Sequence, residues 1–538
     1  MIVEKYSEIC GRAGKDWSPR IFLEDALYGL EKLIENNCGG AVLIDLPAGY
    51  GKSSVTAALA ELAIQGNPYF SRVIHVLPMR SIVEDLYRRL ASDRGLLPPN
   101  MRLHVKSQYM YHPGSPMFAG KCVITTLDTF LLNFFKLPAH ELRKAFKYNV
   151  AHFEFPRAMI YSSIVVFDEF HLFSNIGTLS EEYKTLTSTL AAIKALISTG
   201  VPLLVMTATM PSVLKEFLKE EVERMGFKMI SVEYHCGRDA NFDEEMKRKR
   251  RVVMKKEGDP ARLALAAGDQ GAMRIAVIFN SVERAIDCYK TLKDDDALLL
   301  HGRLPESVRG GVVSRIVEDG RLLLVATQVV EAGIDTDFDV MITECCPADR
   351  LIQRAGRVAR KKDQGELWIM EQKGDGPYDS GVVADTWRLL EEGNLDYFDG
   401  RRLINDVYGM RWKPKLVQGL LRALSMLDRF PIFGLESAKD AFEYFTGFTE
   451  SSCLVSAFPK GDFEGLNAIP LDERNVREIM RDHGVFVDYD GEIKNEKLPS
   501  NLPISIYMLR KGYRGVVIPR DKYVEFTGLD SYDATRLS

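Results

Sequence analysis

The stretch that most constrains the fold runs from Ala41 to Ala63. Ala41-Val42-Leu43-Ile44 reads as a buried strand, and Val55 to Ala63 reads as a helix. Between them stands Ala48-Gly49-Tyr50-Gly51-Lys52-Ser53-Ser54. A strand, a Gly-rich turn and a helix together make a phosphate cradle. The glycines let backbone N–H groups approach closely, and the helix N-terminus adds partial positive charge. Lys52 is placed to reach β/γ-phosphates and the Ser53 hydroxyl to hold Mg²⁺. The outer glycine of G-x-x-x-x-G-K-[ST] is Leu46 here, so the loop takes the shorter A/P-x-G-x-G-K form.

The same unit recurs downstream. Val73 to Pro78 and Cys122 to Thr126 read as strands, with a helix over Ser81–Leu90 after the first. Ile164-Val165-Val166-Phe167 then ends in Asp168-Glu169-Phe170-His171. Acids at the C-terminal end of a buried strand sit where α/β sheets bind ligands. Asp168 suits Mg²⁺, which takes a few hard oxygens and keeps waters. Glu169 suits the orientation and deprotonation of an attacking water. A solvent-facing acidic strand end is the plainer account, and the upstream phosphate loop weighs against it. Val201 to Met206 is a further strand, leading into Thr207-Ala208-Thr209. Those hydroxyls can bond the neighbouring acids or a bound strand, and ordinary turn chemistry explains them equally.

A second series begins after a charge run, Lys247-Arg248-Lys249-Arg250-Arg251, and Gly258-Asp259-Pro260. The run reads as a solvated face at a domain boundary. Strands follow at Arg274–Phe279, Ala297–Leu300, Leu322–Ala326 and Val340–Glu344, the last leading to Gln353-Arg354-Ala355-Gly356-Arg357-Val358-Ala359-Arg360. Strands alternating with helices argue a parallel sheet in each half. Arg357 and Arg360 are three apart, so a helix would put them on one face to clamp a γ-phosphate. No second phosphate loop accompanies them. One half supplies the cradle and the acids, and the other supplies the arginines. A nucleotide in the seam would close the two halves and its hydrolysis would release them.

With 538 residues the chain makes about three domains. We expect an α/β fold: a first domain over 1–240 that includes an N-terminal helix (Ile21 to Ile34), a second over 241–375, and an accessory domain over 376–538. The last is expected to be helical over 382–430, with strands around Pro519. A net charge of −5 rules out a uniformly basic nucleic-acid coat and leaves only a local patch. None of the eight cysteines forms a C-x-x-C, so neither a zinc knuckle nor a redox motif is supported. Buried free thiols in a reducing compartment fit better. With no signal sequence and no membrane-length apolar run, we expect a cytoplasmic protein without membrane association.

Taken together these segments resemble a superfamily 2 helicase. The phosphate loop, the Asp-Glu-x-His box, Thr207-Ala208-Thr209, Thr327 to Asp335 and Gln353 to Arg360 occur in family order. Their wording is most similar to the helicase of type I CRISPR interference, notably Asp45-Leu46-Pro47 and Thr327-Gln328-Val329-Val330-Glu331-Ala332-Gly333-Ile334-Asp335. The resemblance implies two tandem RecA-like domains, ATP and Mg²⁺ dependence, and 3′-to-5′ movement on single-stranded DNA. It implies that Gly333 and Asp335 face the nucleotide, that Gln353 sits near the γ-phosphate, and that His171, Thr207 and Thr209 couple the two events. Pro78, Arg80, Thr126, Asp128, Asn280, Ser281 and Thr327 become candidates to touch strand phosphates, each with a plain turn or cap role as its alternative. No Gln lies between residues 1 and 64 to read adenine.

That family often carries an HD nuclease domain, yet no His is followed by Asp in this sequence. The chain also begins almost at the helicase core. The resemblance therefore points to the split variety, as in archaeal type I-A systems. There a separate HD-type nuclease and the helicase both join an RNA-guided type I surveillance complex. A general DNA-repair or RNA helicase is the alternative enzyme. A non-hydrolysing ATP-binding scaffold is the alternative from another class, and Glu169, Arg357 and Arg360 speak against it.

Overall fold

The computed structural model describes residues 1–538 apart from 14–17, 37–38, 110–111, 113, 180–182, 332–333, 335, 373, 375, 410–411, 413, 431, 451–453, 482 and 530–538. Three sheets organise it. The first holds β1 (Gly40–Asp45), β2 (Arg72–Leu77), β3 (Val105–Gln108), β4 (Cys122–Thr126), β5 (Ser163–Phe167), β6 (Leu203–Thr207) and β7 (Lys228–Glu233). Their order is β3-β4-β2-β5-β6-β1-β7 and every pairing is parallel. β1, β4, β5 and β6 are buried along their whole length. This is why they read as continuous apolar runs: helices cover both faces. Successive residues of β1 feed opposite cores, Ala41 and Leu43 one, Val42 and Ile44 the other.

The second sheet holds β8 (Arg250–Lys255), β9 (Arg274–Ile278), β10 (Leu298–Leu300), β11 (Leu322–Ala326), β12 (Val340–Glu344), β13 (Gln364–Met370) and β14 (Gly393–Asn394). The order is β10-β11-β9-β12-β13-β8-β14, parallel except for β14. Here the charge run is reassigned. Arg250 and Arg251 open a strand rather than close a solvated linker. β8 lies next to the sheet edge with only Val253 fully buried, so its ladder tolerates polar side chains. Arg251 Nε donates to the Val358 carbonyl at 2.8 Å.

The C-terminal stretch divides among three cores. Helices Ser380–Leu389 and Tyr397–Gly409 pack Val382, Val383, Leu403, Ile404 and Val407 on the second sheet. Helices Gln418–Arg429 and Leu435–Tyr444 return to the first sheet with Leu420, Leu424, Leu427 and Phe442. Only then comes an independent core on a third sheet: β15 (Val455–Pro459), β16 (Ile469–Leu471), β17 (His483–Asp488), β18 (Ile493–Lys497) and β19 (Tyr513–Ile518), ordered β16-β15-β19-β17-β18. A strand was expected on both sides of Pro519. Instead a helix, Arg520–Thr527, starts directly after it, with Pro519 as its N-cap. Helix Ile2–Ala13 also precedes the expected Ile21–Glu35. Of the described cysteines, Cys236 is exposed and the other five are buried.

The third unit touches both others. His301 Nε2 donates to the Thr527 carbonyl at 3.0 Å, and the Arg303 guanidinium lies over the Phe526 ring. On the opposite side the Arg143 guanidinium lies 4.2 Å from the Tyr489 ring centre, and Ile506 enters the first unit's core. Among the described residues no helix is long and apolar enough to cross a membrane.

Candidate active site

β1 ends at Asp45 and the chain turns through the loop into helix Ser53–Gln65. Gly49 and Gly51 have φ of 86° and 93°, a left-handed backbone that only glycine adopts without strain. Ala48 and Gly49 are exposed, so the loop crest is open. Lys52 Nζ donates to the carbonyls of Leu46 at 2.8 Å and Pro47 at 3.3 Å. Ser53 is the first residue of the helix, and Ser54 Oγ donates to the Gly51 carbonyl at 2.6 Å. Tyr50 was expected to bind nucleotide with the rest of the loop, but its side chain does not face the cradle. The ring packs at 4.7 Å from Phe242 and also against Phe22 and Tyr234, and its hydroxyl donates to Asp239 Oδ2 at 2.7 Å. Only the Tyr50 backbone remains for a phosphate; the side chain anchors the loop.

Asp168 and Glu169 follow β5. Asp168 Oδ1 accepts the Glu169 N–H at 2.8 Å, and Oδ2 lies 3.3 Å from His75 Nε2. Burial pushes the Asp168 carboxyl up, but the His75 hydrogen bond and charge, Lys52 and the Glu169 N–H bring it below its ordinary value. It stays ionised, as a ligand of a divalent cation must. Glu169 differs in both respects. Burial and then the charge of Asp168 push it up to about 7, against the pull of Lys52, Arg357 and Arg360. Its backbone is left-handed, φ 52°, and Oε2 is buried without a hydrogen-bond partner. Two adjacent carboxyls with separated proton affinities are the arrangement that divides metal binding from proton transfer. Both keep a solvent-touched surface, 18% and 27% of the side chain.

His171, Thr207, Thr209 and Gln353 meet across the seam. His171 is buried, and burial holds its pKa well below the ordinary value, so the imidazole is neutral. Nδ1 lies 3.1 Å from Thr207 Oγ1 and Nε2 lies 3.0 Å from Thr209 Oγ1. The Gln353 amide nitrogen, carried by the second sheet's helix Ala348–Ala355, also touches Nε2. Close by, Ile176 leaves the Asp-Glu box and inserts into the second sheet's core.

The arginines need correction. Helix Ala348–Ala355 ends before either of them, and Ala359 takes a left-handed φ of 51°. Asp337 accepts the N–H groups of Arg360, Lys361 and Lys362, which holds the chain in a turn rather than a further helical one. Arg357 and Arg360 thus do not share a helix face. Arg357 donates to the carbonyls of Ile334 and Glu331, both at 2.8 Å. The two charges nevertheless act on Glu169 across the seam. Gly333 and Asp335 lie outside the described residues.

The strand-contact candidates separate into two groups. Pro78 and Asp128 line one cleft of about 190 Å³ together with Arg350 of the second unit and Thr449 and Glu450. Asp128 also accepts the Thr449 hydroxyl. Arg80 is exposed, its guanidinium 5.6 Å from the Tyr109 ring centre. The other candidates look inward. Asn280 is 2% exposed and its amide is committed: Oδ1 accepts from Arg354 at 3.0 Å, and Nδ2 donates to Cys345 O and Gln372 Oε1. That is a structural amide, not a phosphate contact. Ser281 caps helix Val282–Leu292, Thr126 bonds the Thr129 hydroxyl, and Thr327 is buried.

Sequence reasoning missed three groups here. His75 is fully buried in β2, and its one signal is being the only polar residue between Val73 and Leu77. Arg354 is buried and donates to Glu331, Thr343 and Glu344 as well as Asn280. Arg401 of helix Tyr397–Gly409 donates to the buried Asp45 at 2.6 Å, just before the phosphate loop. Nothing local marks either arginine, because their carboxylate partners are far away in sequence.

Two domain families match the chain: the DEAD/DEAH box helicase over residues 31–217, and the CRISPR-associated nuclease/helicase Cas3, C-terminal, over 271–363. The CRISPR-associated helicase Cas3 of Thermoproteus tenax is 26% identical over 76% of this chain and 72% of its own length. The CRISPR-associated nuclease/helicase Cas3 of Methanothermobacter thermautotrophicus is 24% identical over 80% of this chain, which spans only 55% of that relative. In fold, the chain is similar to T. fusca Cas3 crystallised with AMPPNP, with TM-score 0.61, 17% identity, and 96% and 68% of the two chains covered. It is also similar to a chain of a CRISPR RNA-guided surveillance complex in a pre-nicking state, with TM-score 0.54, 18% identity, and 89% and 68% covered.

Proposed function

We propose that this chain, an ATP-hydrolysing Cas3-type superfamily 2 helicase of CRISPR defence, is a 3′-to-5′ translocase on single-stranded DNA that relies on a separate nuclease. One observation carries the motor reading: Gln353 of the second unit touches His171 of the acid box across the seam, where the charges of Lys52, Arg357 and Arg360 all bear on Glu169. ATP in the cradle would lie between them. Lys52 and the loop N–H groups bind its phosphates. Glu169 orients a water and takes its proton, and Arg357 and Arg360 stabilise charge on the transferred group. Ser53 and Asp168 would hold Mg²⁺, which when bound neutralises charge on the β/γ oxygens. One hydroxyl and one ionised carboxylate, with phosphate and water completing the shell, suit that ion. Gln353 touching His171 gives the route by which hydrolysis in the seam reaches the cleft of Pro78, Asp128 and Arg350.

Support for a nuclease supplied in trans comes from the absence of a His-Asp dipeptide in this sequence. Docking to an RNA-guided type I surveillance complex follows from the same kinship and would leave sequence choice to the guide. The test is phosphate release with single-stranded DNA, single-stranded RNA or neither. DNA is expected to stimulate most, and Lys52→Ala or Asp168→Ala to abolish the stimulated rate while the fold persists. Unchanged turnover in either variant would end these assignments, and stronger stimulation by RNA would favour the general helicase. Purified chain is expected to cut no DNA.

A further inference from the structure

β2 runs through the middle of the first sheet, between β4 and β5, and four of the five residues from Val73 to Leu77 are apolar. The exception, His75, is fully buried, which is expensive for imidazole unless both nitrogens are bonded. Both are. Nδ1 lies 2.9 Å from Thr56 Oγ1, on the helix that begins at Ser53, and Nε2 lies 3.3 Å from Asp168 Oδ2. A carboxylate only accepts, so Nε2 carries the proton and donates to Asp168. Nδ1 shares its bond with the Thr56 hydroxyl, which serves a ring nitrogen as donor or as acceptor. The chain of bonds therefore joins the phosphate-loop helix to the acid box through the sheet interior.

We propose that His75 is a positioning residue for the divalent cation. Through Thr56 and Asp168 it fixes the Asp168 carboxylate relative to the helix that carries Ser53. This rests on the reading that Ser53 and Asp168 hold the ion. The Asp168 carboxylate is held at both oxygens, Oδ1 by the Glu169 N–H and Oδ2 by His75. Two fixed donors set its plane and leave one lone pair on each oxygen for a cation. Losing the His75 donor frees the carboxylate to rotate about a single remaining bond. Partners that orient a metal ligand in this way are worth about 10- to 100-fold in metal affinity.

The measurement is the affinity of a fluorescent ADP analogue with Mg²⁺ and with EDTA, and the ratio of the two. His75→Leu is expected to lower the Mg²⁺-dependent gain by about 10- to 100-fold while the affinity in EDTA stays as in wild type. A buried histidine serving only the core would leave the ratio alone. A folded His75→Leu protein with an undiminished ratio overturns the proposal. If that variant does not fold, His75→Gln and His75→Asn decide. The Gln amide reaches the Nε2 position and so Asp168, whereas the Asn amide reaches only the Nδ1 position and Thr56. The gain kept in Gln and lost in Asn supports the proposal, and equal values overturn it. Asp168→Ala separates the two levels. If it retains the gain, the metal assignment fails and the proposal with it. If it loses the gain while His75→Leu does not, only the role of His75 fails.

Discussion

The three arginines between Arg354 and Arg360 are so close in sequence that one would group them, yet the structure gives them different work, and their stabilities should diverge. Arg354 and Glu331 each expose 1% of their side chains, and Arg354 makes four hydrogen bonds inside the second unit. Arg354→Ala strands Glu331 with Arg350 alone, at 3.3 Å. Removing one partner of a buried pair costs about 3–5 kcal/mol, and the surviving Arg350 contact places this case near 3. Leaving Asn280 Oδ1 without its donor adds about 1 kcal/mol. A total of about 4 kcal/mol lowers the unfolding midpoint by about 8–16 °C for a unit of this size. Arg357→Ala loses two bonds to main-chain carbonyls on a half-exposed side chain, about 1–2 kcal/mol and a few degrees. Its ATP turnover should instead fall by about 10³-fold or more, as for a lost arginine finger. Calorimetry and phosphate release on both variants test the division. A midpoint for Arg354→Ala within about 3 °C of wild type, or a larger thermal loss in Arg357→Ala than in Arg354→Ala, would refute it.

Two further outcomes follow from the same contacts. Asn280→Ala should cost about 1–3 kcal/mol in urea unfolding, and the folded protein should bind single-stranded DNA as wild type does, measured by anisotropy. Arg401→Ala leaves the buried Asp45 carboxylate with Lys215 at 3.6 Å. Amide exchange should then rise across helix Tyr397–Gly409, and an exchange pattern identical to wild type would show that the pair contributes nothing.

The parallel-strand pattern was legible because strands such as β1, β5 and β6 are buried on both faces and leave near-continuous apolar runs. β7 at one sheet edge, β8 beside another and the partly exposed start of β13 carry Lys, Arg, Gln or Glu, so composition hid them. The phosphate loop and the acids could be read because each is a short local pattern. Arg357 and Arg360 were placed on a helix that Ala355 ends, because a three-residue spacing does not reveal that Asp337 will hold the backbone from Arg360 to Lys362 in a turn. Apart from the Tyr397 hydroxyl that Arg401 also bonds, the partners of His75, Arg354 and Arg401 lie from 10 to 356 residues away, and periodicity carries no signal at such separations. Asn280 shows the converse, a polar residue at a strand end whose partners all turn out to be internal.

The unit built on β15–β19 leans on one neighbour through Thr527 and on the other through Tyr489 and Ile506. With the seam itself, that makes a triangle of three touching bodies. In a triangle no side changes length alone. Any stroke that shifts the Gln353 flank against His171 has to be absorbed by slippage at one of the other two corners or by bending of the third body. If the chain is the proposed translocase, whichever corner yields more easily sets how far each spent nucleotide can move it.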